Sequence, residues 1–198
     1  MVSQAKADLK HHDPRTRIMA IQFLEKSDPS VFSSYLQEIL SDPDPGVRLQ
    51  AIRSLIKSGQ PIEIPLLKKY LKDQDARVRM AVLRGLSQVQ EKWDLNFLLQ
   101  FLSDESPWVR RKMATLLGWV QTEGAFPILM EMSKDQSPGV RKAALMSLNS
   151  LYPEESEDRL VKALRDPAPD VRNWVKRSLE KRLGQPRKGT GPPSRQHR

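Results

Sequence analysis

The 198-residue sequence predicts an all-α fold, a right-handed solenoid of about six two-helix repeats. Three observations predict it. Arginine recurs at Arg17, Arg48, Arg79, Arg110, Arg141 and Arg172, each 31 residues after the last and with no insertion. The residue before each is Thr16, Val47, Val78, Val109, Val140 or Val171, and seven residues after each stands Leu24, Leu55, Leu86, Leu117, Leu148 or Leu179. Finally, each of the first five copies carries a helix-start signal just upstream. Asp13, Asp44, Asp75, Ser106 and Ser137 are good N-cap types. Pro14, Pro45, Pro107 and Pro138 follow them, with Ala76 in the third copy. Proline at the first helical position loses no hydrogen bond and has its φ already set.

Each repeat then resolves into helix A, a short turn and helix B. Helix A of the first copy is only the short MVSQAKADLK; the later ones are VFSSYLQEIL, IPLLKKYL, LNFLLQFL, FPILMEM and DRLVKAL. Helix B follows each cap with apolar residues at helical spacing, as in Val47, Ala51, Ile52 and Leu55. One helix pair cannot bury its own apolar face, so stacked neighbours share a continuous core. The last helix B is polar where the earlier ones are not, with Asp170, Asn173 and Lys176, as a terminal cap requires. The solenoid is expected over residues 1–183. The Gly/Pro-rich, basic stretch GQPRKGTGPPSRQHR, residues 184–198, is expected to be a disordered tail.

The turn aspartate six residues before each arginine, the Val-Arg pair and the short unit together resemble HEAT repeats. The likeness is to the compact type found in phycobilisome-lyase-like bacterial proteins. It covers roughly residues 1–183 and implies an armadillo-like helical stack, a fold that serves many unrelated tasks. It also implies an inter-repeat ladder of turn Asp and helix-B Arg. Carried over, that ladder is Asp42/Arg48, Asp73/Arg79, Asp104/Arg110, Asp135/Arg141 and Asp166/Arg172. The first copy departs from the pattern with His11 in place of Asp, either a worn N-terminal cap or the mark of a longer array.

Helix B lines the inner, concave surface in such stacks. On the fourth helix B, Val109, Met113, Leu116 and Leu117 spread over one side, and Trp108, Lys112, Thr115 and Trp119 form a stripe opposite. Equivalent positions elsewhere include Met19, Gln22, Gln50, Arg53, Lys57, Arg77, Arg84, Gln88, Met146, Trp174, Arg177 and Lys181. Trp and Arg dominate binding hot spots. Trp108, Lys112, Trp119, Arg84, Arg53, Trp174 and Arg177 are therefore the expected partner contacts. Trp93, in the lead-in to a helix A, reads as a structural plug.

The net charge is +9. From two residues before each repeat arginine to nine after, the six segments hold 18 cations and three acids; residues 182–198 hold five cations and no acid. Everything else therefore carries −11. A basic helix-B layer over acidic helices A and turns attracts acidic partners. An acidic protein or peptide is the expected ligand and nucleic acid the runner-up, with salt dependence as the discriminator.

Catalytic signals are sparse. The chain has no cysteine, and its three histidines, His11, His12 and His197, are not followed by Glu. HEAT-type di-iron hydroxylases carry repeated His-Glu pairs, so that activity is not expected. Neither a Gly-rich phosphate loop nor a Ser/His/Asp constellation occurs. No metal or other cofactor is expected, and His11-His12 reads as solvent-exposed. Two enzymatic alternatives remain open. One is a HEAT-like DNA glycosylase, for which Asp170 near Trp174 is the candidate; the other is a bilin-lyase-type subunit or chaperone. With no secretory leader or membrane span in view, a cytoplasmic scaffold, monomeric or part of a complex, is the expectation.

Overall fold

The computed structural model describes residues 1–58, 64–89, 99–119 and 124–183. Among them are eleven α-helices and no strand. The helices A are α1 (Val2–Asp8), α3 (Pro29–Leu40), α5 (Ile64–Lys69, continued by a 3-10 turn, Tyr70–Lys72), α8 (Ala125–Met132) and α10 (Glu157–Ala163). The helices B are α2 (Pro14–Ser27), α4 (Pro45–Lys57), α6 (Ala76–Val89), α7 (Pro107–Leu117), α9 (Pro138–Leu151) and α11 (Pro169–Leu183). Trp93, the first half of LNFLLQFL, the Gln88 side chain and residues 184–198 lie outside what is described.

Helix starts follow from local chemistry. The Asp13 carboxylate accepts from the Arg15 N–H, Asp44 from Gly46 and Val47, and Asp75 from Arg77. Asp28 caps α3 by accepting from the Val31 N–H. The serines differ from expectation. Ser106 and Ser137 occupy the N-cap position but make no side-chain cap bond. Each instead donates its backbone N–H to the turn aspartate two residues earlier, Asp104 or Asp135.

The B helices form a continuous layer, α2 on α4, α4 on α6, α6 on α7, α7 on α9 and α9 on α11. Helices α3, α8 and α10 each wedge between two consecutive B helices. The repeat positions explain why. Val47, Val78, Val109, Val140 and Val171 are all buried, as are Leu24, Leu55, Leu86, Leu117 and Leu148. One apolar cluster runs from Ala5 to Leu148, and a second, of Leu145, Leu160, Ala163, Val171 and Val175, holds the last repeat. The architecture is an α-solenoid. No described helix is long and apolar enough to cross a membrane.

Some contacts between B helices leave no room for a side chain. A Cβ on Gly118 would lie 2.2 Å from the Ser147 Oγ, and one on Gly85 would lie 2.8 Å from the Ile56 side chain. The Ser147 hydroxyl donates across the layer to the Ala114 carbonyl at 2.8 Å.

Candidate functional site

Two surfaces carry the residues singled out by sequence. The first is the turn edge. Five arginines each grip a carboxylate 25 residues ahead: Arg17 with Asp42, Arg48 with Asp73, Arg79 with Asp104, Arg110 with Asp135 and Arg141 with Asp166. In every case Nε and Nη2 donate to the two carboxylate oxygens, a bidentate pair that is strong and geometrically selective. The pairing differs by one repeat from that carried over in the sequence reading. Arg48 does meet Asp42, but through Nη1 donating to its main-chain carbonyl at 2.8 Å. The Asp42 carboxylate belongs to the arginine of the preceding repeat. Each aspartate thus ties its own turn, accepting the N–H two residues on, and clasps the repeat before it.

The ends of the series depart in instructive ways. His11 stands where the first aspartate would be, and its Nδ1 accepts the Asp13 N–H as the aspartates accept theirs. It is half-buried and its ring lies against that of His12, so of the two only His12 is exposed. Arg172 keeps the main-chain bonds to Asp166 and Pro167, yet among the described residues no carboxylate meets its fork. Asp135 and Asp166 are held below the usual carboxylate range. Burial alone would raise them, and the hydrogen bonds from Arg110 and Arg141, with backbone N–H bonds, outweigh it.

The second surface is the outer face of the B layer. Trp108 is 63% exposed and Trp119 78% exposed, with Met19 and Met146 exposed as well. The Arg111 guanidinium lies 6.0 Å from the centre of the Trp108 ring. The predicted contacts do not share one groove. Arg53, Arg84 and Lys112 line one hollow of about 550 Å³ between α4, α6 and α7. Trp119 lines a second, with Arg111, Lys142, Met146 and Asp170. Trp174 and Arg177 line a third with Lys181 and Arg182, and Trp108 lines none of the three. Trp174 is only partly exposed because it packs against the second apolar cluster. Asp170 faces Lys142 at 3.9 Å in the second hollow, so the Asp170–Trp174 pair considered for a glycosylase is split between two hollows.

Sequence reasoning missed several partners on this face. Glu25, from the first repeat's helix B, accepts from the Ser54 hydroxyl and from the Lys57 ammonium at 2.8 Å. Its acidity at the helical stripe spacing was the available signal. Arg77 is engaged by its own cap, Asp75, whose carboxyl is drawn down to about 2 chiefly by that hydrogen bond. Arg182 donates to the Pro153 and Asn149 carbonyls, and, away from this face, Arg159 of α10 donates to the Ser133 hydroxyl and carbonyl. These last two required knowing how one repeat lies on the next. Among the described residues, Arg53, Arg84 and Lys112 in the first hollow have no acidic partner. Among the described residues no cluster of His, Asp and Glu is placed to hold a metal ion.

Residues 64–93 match the family model described as HEAT repeat, and residues 95–180 match the one described as HEAT repeats. The chain is a HEAT-repeat protein. No curated protein matches its sequence. Among solved structures, it resembles the complex of CpcE and CpcF of phycocyanin lyase from Nostoc sp. PCC7120. Identity is 22% and the TM-score 0.59, over 90% of this chain and 76% of that one. A designed armadillo repeat protein in complex with the peptide (KR)4 is 17% identical, with a TM-score of 0.56 over 90% of this chain and 98% of that one. Human deoxyhypusine hydroxylase is 20% identical, with a TM-score of 0.51 over 93% of this chain and 74% of that one. At these identities the HEAT-repeat chain shares a fold with them, and the fold alone.

Proposed function

We propose that this HEAT-repeat stack is a non-catalytic scaffold whose helix-B face holds an acidic protein or peptide segment. The observation that carries the reading is the convergence of Arg53, Arg84 and Lys112 in one hollow, without an acidic partner among the described residues, on the face that exposes Trp108 and Trp119. Such a face supplies charge for steering and large aromatic area for anchoring. The armadillo relative was solved with a peptide of lysines and arginines; the charge here favours the opposite sign of ligand.

The test is a fluorescence titration of the full chain with Glu/Asp-rich peptides containing Leu or Phe. The Trp108→Ala/Lys112→Ala variant is expected to lose binding while keeping its helical circular dichroism. Undiminished binding by that variant overturns the assignment. The exposed tryptophans also suit base stacking, which favours nucleic acid as the second reading. A single-stranded oligonucleotide whose affinity falls steeply with salt, where the peptides fail to bind, would replace the first reading with the second.

A further inference from the structure

The hollow between α4, α6 and α7 carries more positive charge than one carboxylate needs. Five cations line it. Two are neutralised within the fold, Lys57 by Glu25 at 2.8 Å and Arg77 by Asp75 at 2.7 Å. Arg53, Arg84 and Lys112 come from three successive B helices and converge, with no acid among the described residues that line the hollow. The turn edge of the same protein shows what a single carboxylate takes, since there each aspartate is matched by one guanidinium fork. Three convergent cations match a dianion with several acceptor oxygens.

The surroundings narrow the choice further. Ile56, Met80 and Ala81 also line the hollow, an apolar floor suited to the aliphatic part of a side chain rather than to a free ion in water. The volume of about 550 Å³ admits a modified side chain with its neighbours. Lys112 is half-buried and holds its proton less firmly than an ordinary lysine, first through burial and then through the charge of Arg84. An anion between the two would reverse that repulsion. A second group of cations, Arg177, Lys181 and Arg182, lines the third hollow on α11, and the second hollow separates the two groups. In that second hollow Lys142, on α9, is matched by Asp170, and Arg111, on α7 beside Lys112, lies over Trp108. A polynucleotide backbone calls for a continuous track of cations; separate clusters interrupted by a neutralised hollow fit discrete dianionic centres.

Building on the acidic-peptide reading, we propose that this hollow binds the phosphate of a phosphorylated side chain within the peptide segment the face holds. Arg53 and Arg84 donate to the phosphate oxygens, Lys112 supplies the third charge, and Ile56 and Met80 receive the adjoining carbon chain. Phosphate monoesters carry about −1.5 to −2 charges at neutral pH and three strong acceptor oxygens.

The experiment compares three degenerate peptide pools on the full chain by fluorescence anisotropy at near-physiological salt. All pools share flanking Glu, Asp and Leu; the central residue is phosphoserine, glutamate or serine. The phosphoserine pool is expected to bind about tenfold tighter than the glutamate pool, as a dianion making several charge-assisted bonds should. Arg84→Gln and Lys112→Gln, both on the solvent side of their helices, are expected to erase that preference. Arg111→Gln, outside the hollow, should retain it. Equal binding of the phosphoserine and glutamate pools overturns the phosphate inference and leaves the acidic-peptide reading standing. Binding of no pool overturns both. A preference that survives Arg84→Gln and Lys112→Gln places the phosphate elsewhere and also refutes the inference.

Discussion

The Arg79–Asp104 clasp offers the sharpest test of how the stack is held. Arg79 donates to both Asp104 oxygens at 2.8 Å, and its Nη1 reaches the Asp73 and Gln74 carbonyls at 2.7 and 3.0 Å. Both side chains of the ion pair are 8% exposed. Replacing Arg79 with Ala leaves a buried carboxylate whose one remaining bond among the described residues is to the Ser106 N–H. Removing one partner of a buried pair costs about 3–5 kcal/mol. Replacing Asp104 with Ala costs less, about 2–3 kcal/mol, because the guanidinium keeps its carbonyl bonds and Glu105 stands at 3.2 Å. The two losses should not add. The double variant is expected to fall short of their sum by about 1.5–3 kcal/mol, the coupling energy of the clasp. Urea denaturation followed at 222 nm, with hydrogen exchange to separate repeats that unfold individually, measures all three. Additive losses, with coupling below about 0.5 kcal/mol, would refute the clasp as an energetic link between repeats. The arginine would then act through its carbonyl bonds alone.

Two further outcomes follow from the same contacts. Gly118→Ala should destabilise the stack by about 1–3 kcal/mol in urea melts, the range for overpacking, since its Cβ would collide with Ser147; adding Ser147→Gly should recover part of the loss. Acid sensitivity has a defined window. Asp75, Asp135 and Asp166 titrate lower folded than unfolded, so the unfolded chain binds more protons and the carboxylates stabilise the fold above the unfolded value of about 4. That contribution should fade as pH falls from about 4 toward about 2. A urea midpoint already falling between pH 7 and 5 would contradict it.

Most of the fold was legible because a repeat states the same packing rule six times. Val109 and Leu117 are buried for the same reason as Val47 and Leu55, and one copy suffices to read the others. The ladder residues were legible too, but not their partners. Asp42 lies six residues from Arg48 and 25 from Arg17, and the spacing alone favours the near neighbour. The turn aims the carboxylate back across the repeat boundary, a direction set by how one unit lies on the last. The stripe predicted on the B layer does expose Trp108 and Trp119, but the geometry divides it into three hollows. Helical periodicity places residues around one helix and says nothing of the gaps between neighbours. Glu25, Asp75 and Asp170 escaped notice as quenchers of that stripe because each acts on a cation whose position depends on turns or neighbouring repeats.

The one-repeat reach of each clasp makes the length of the molecule a quantised variable. Excising residues 135–165 would bring Asp166 to the position Asp135 holds 25 residues after Arg110, and Arg172 to the position of Arg141. Every remaining guanidinium of the ladder would still meet an aspartate or carbonyl of the same kind, and a duplicated unit would fit on the same terms. An insertion within a helix or turn that is not a whole number of repeats would put an arginine out of register with its aspartate. The spacing of 31 thus acts as an error check on the chain's own growth, admitting whole units and penalising fractions.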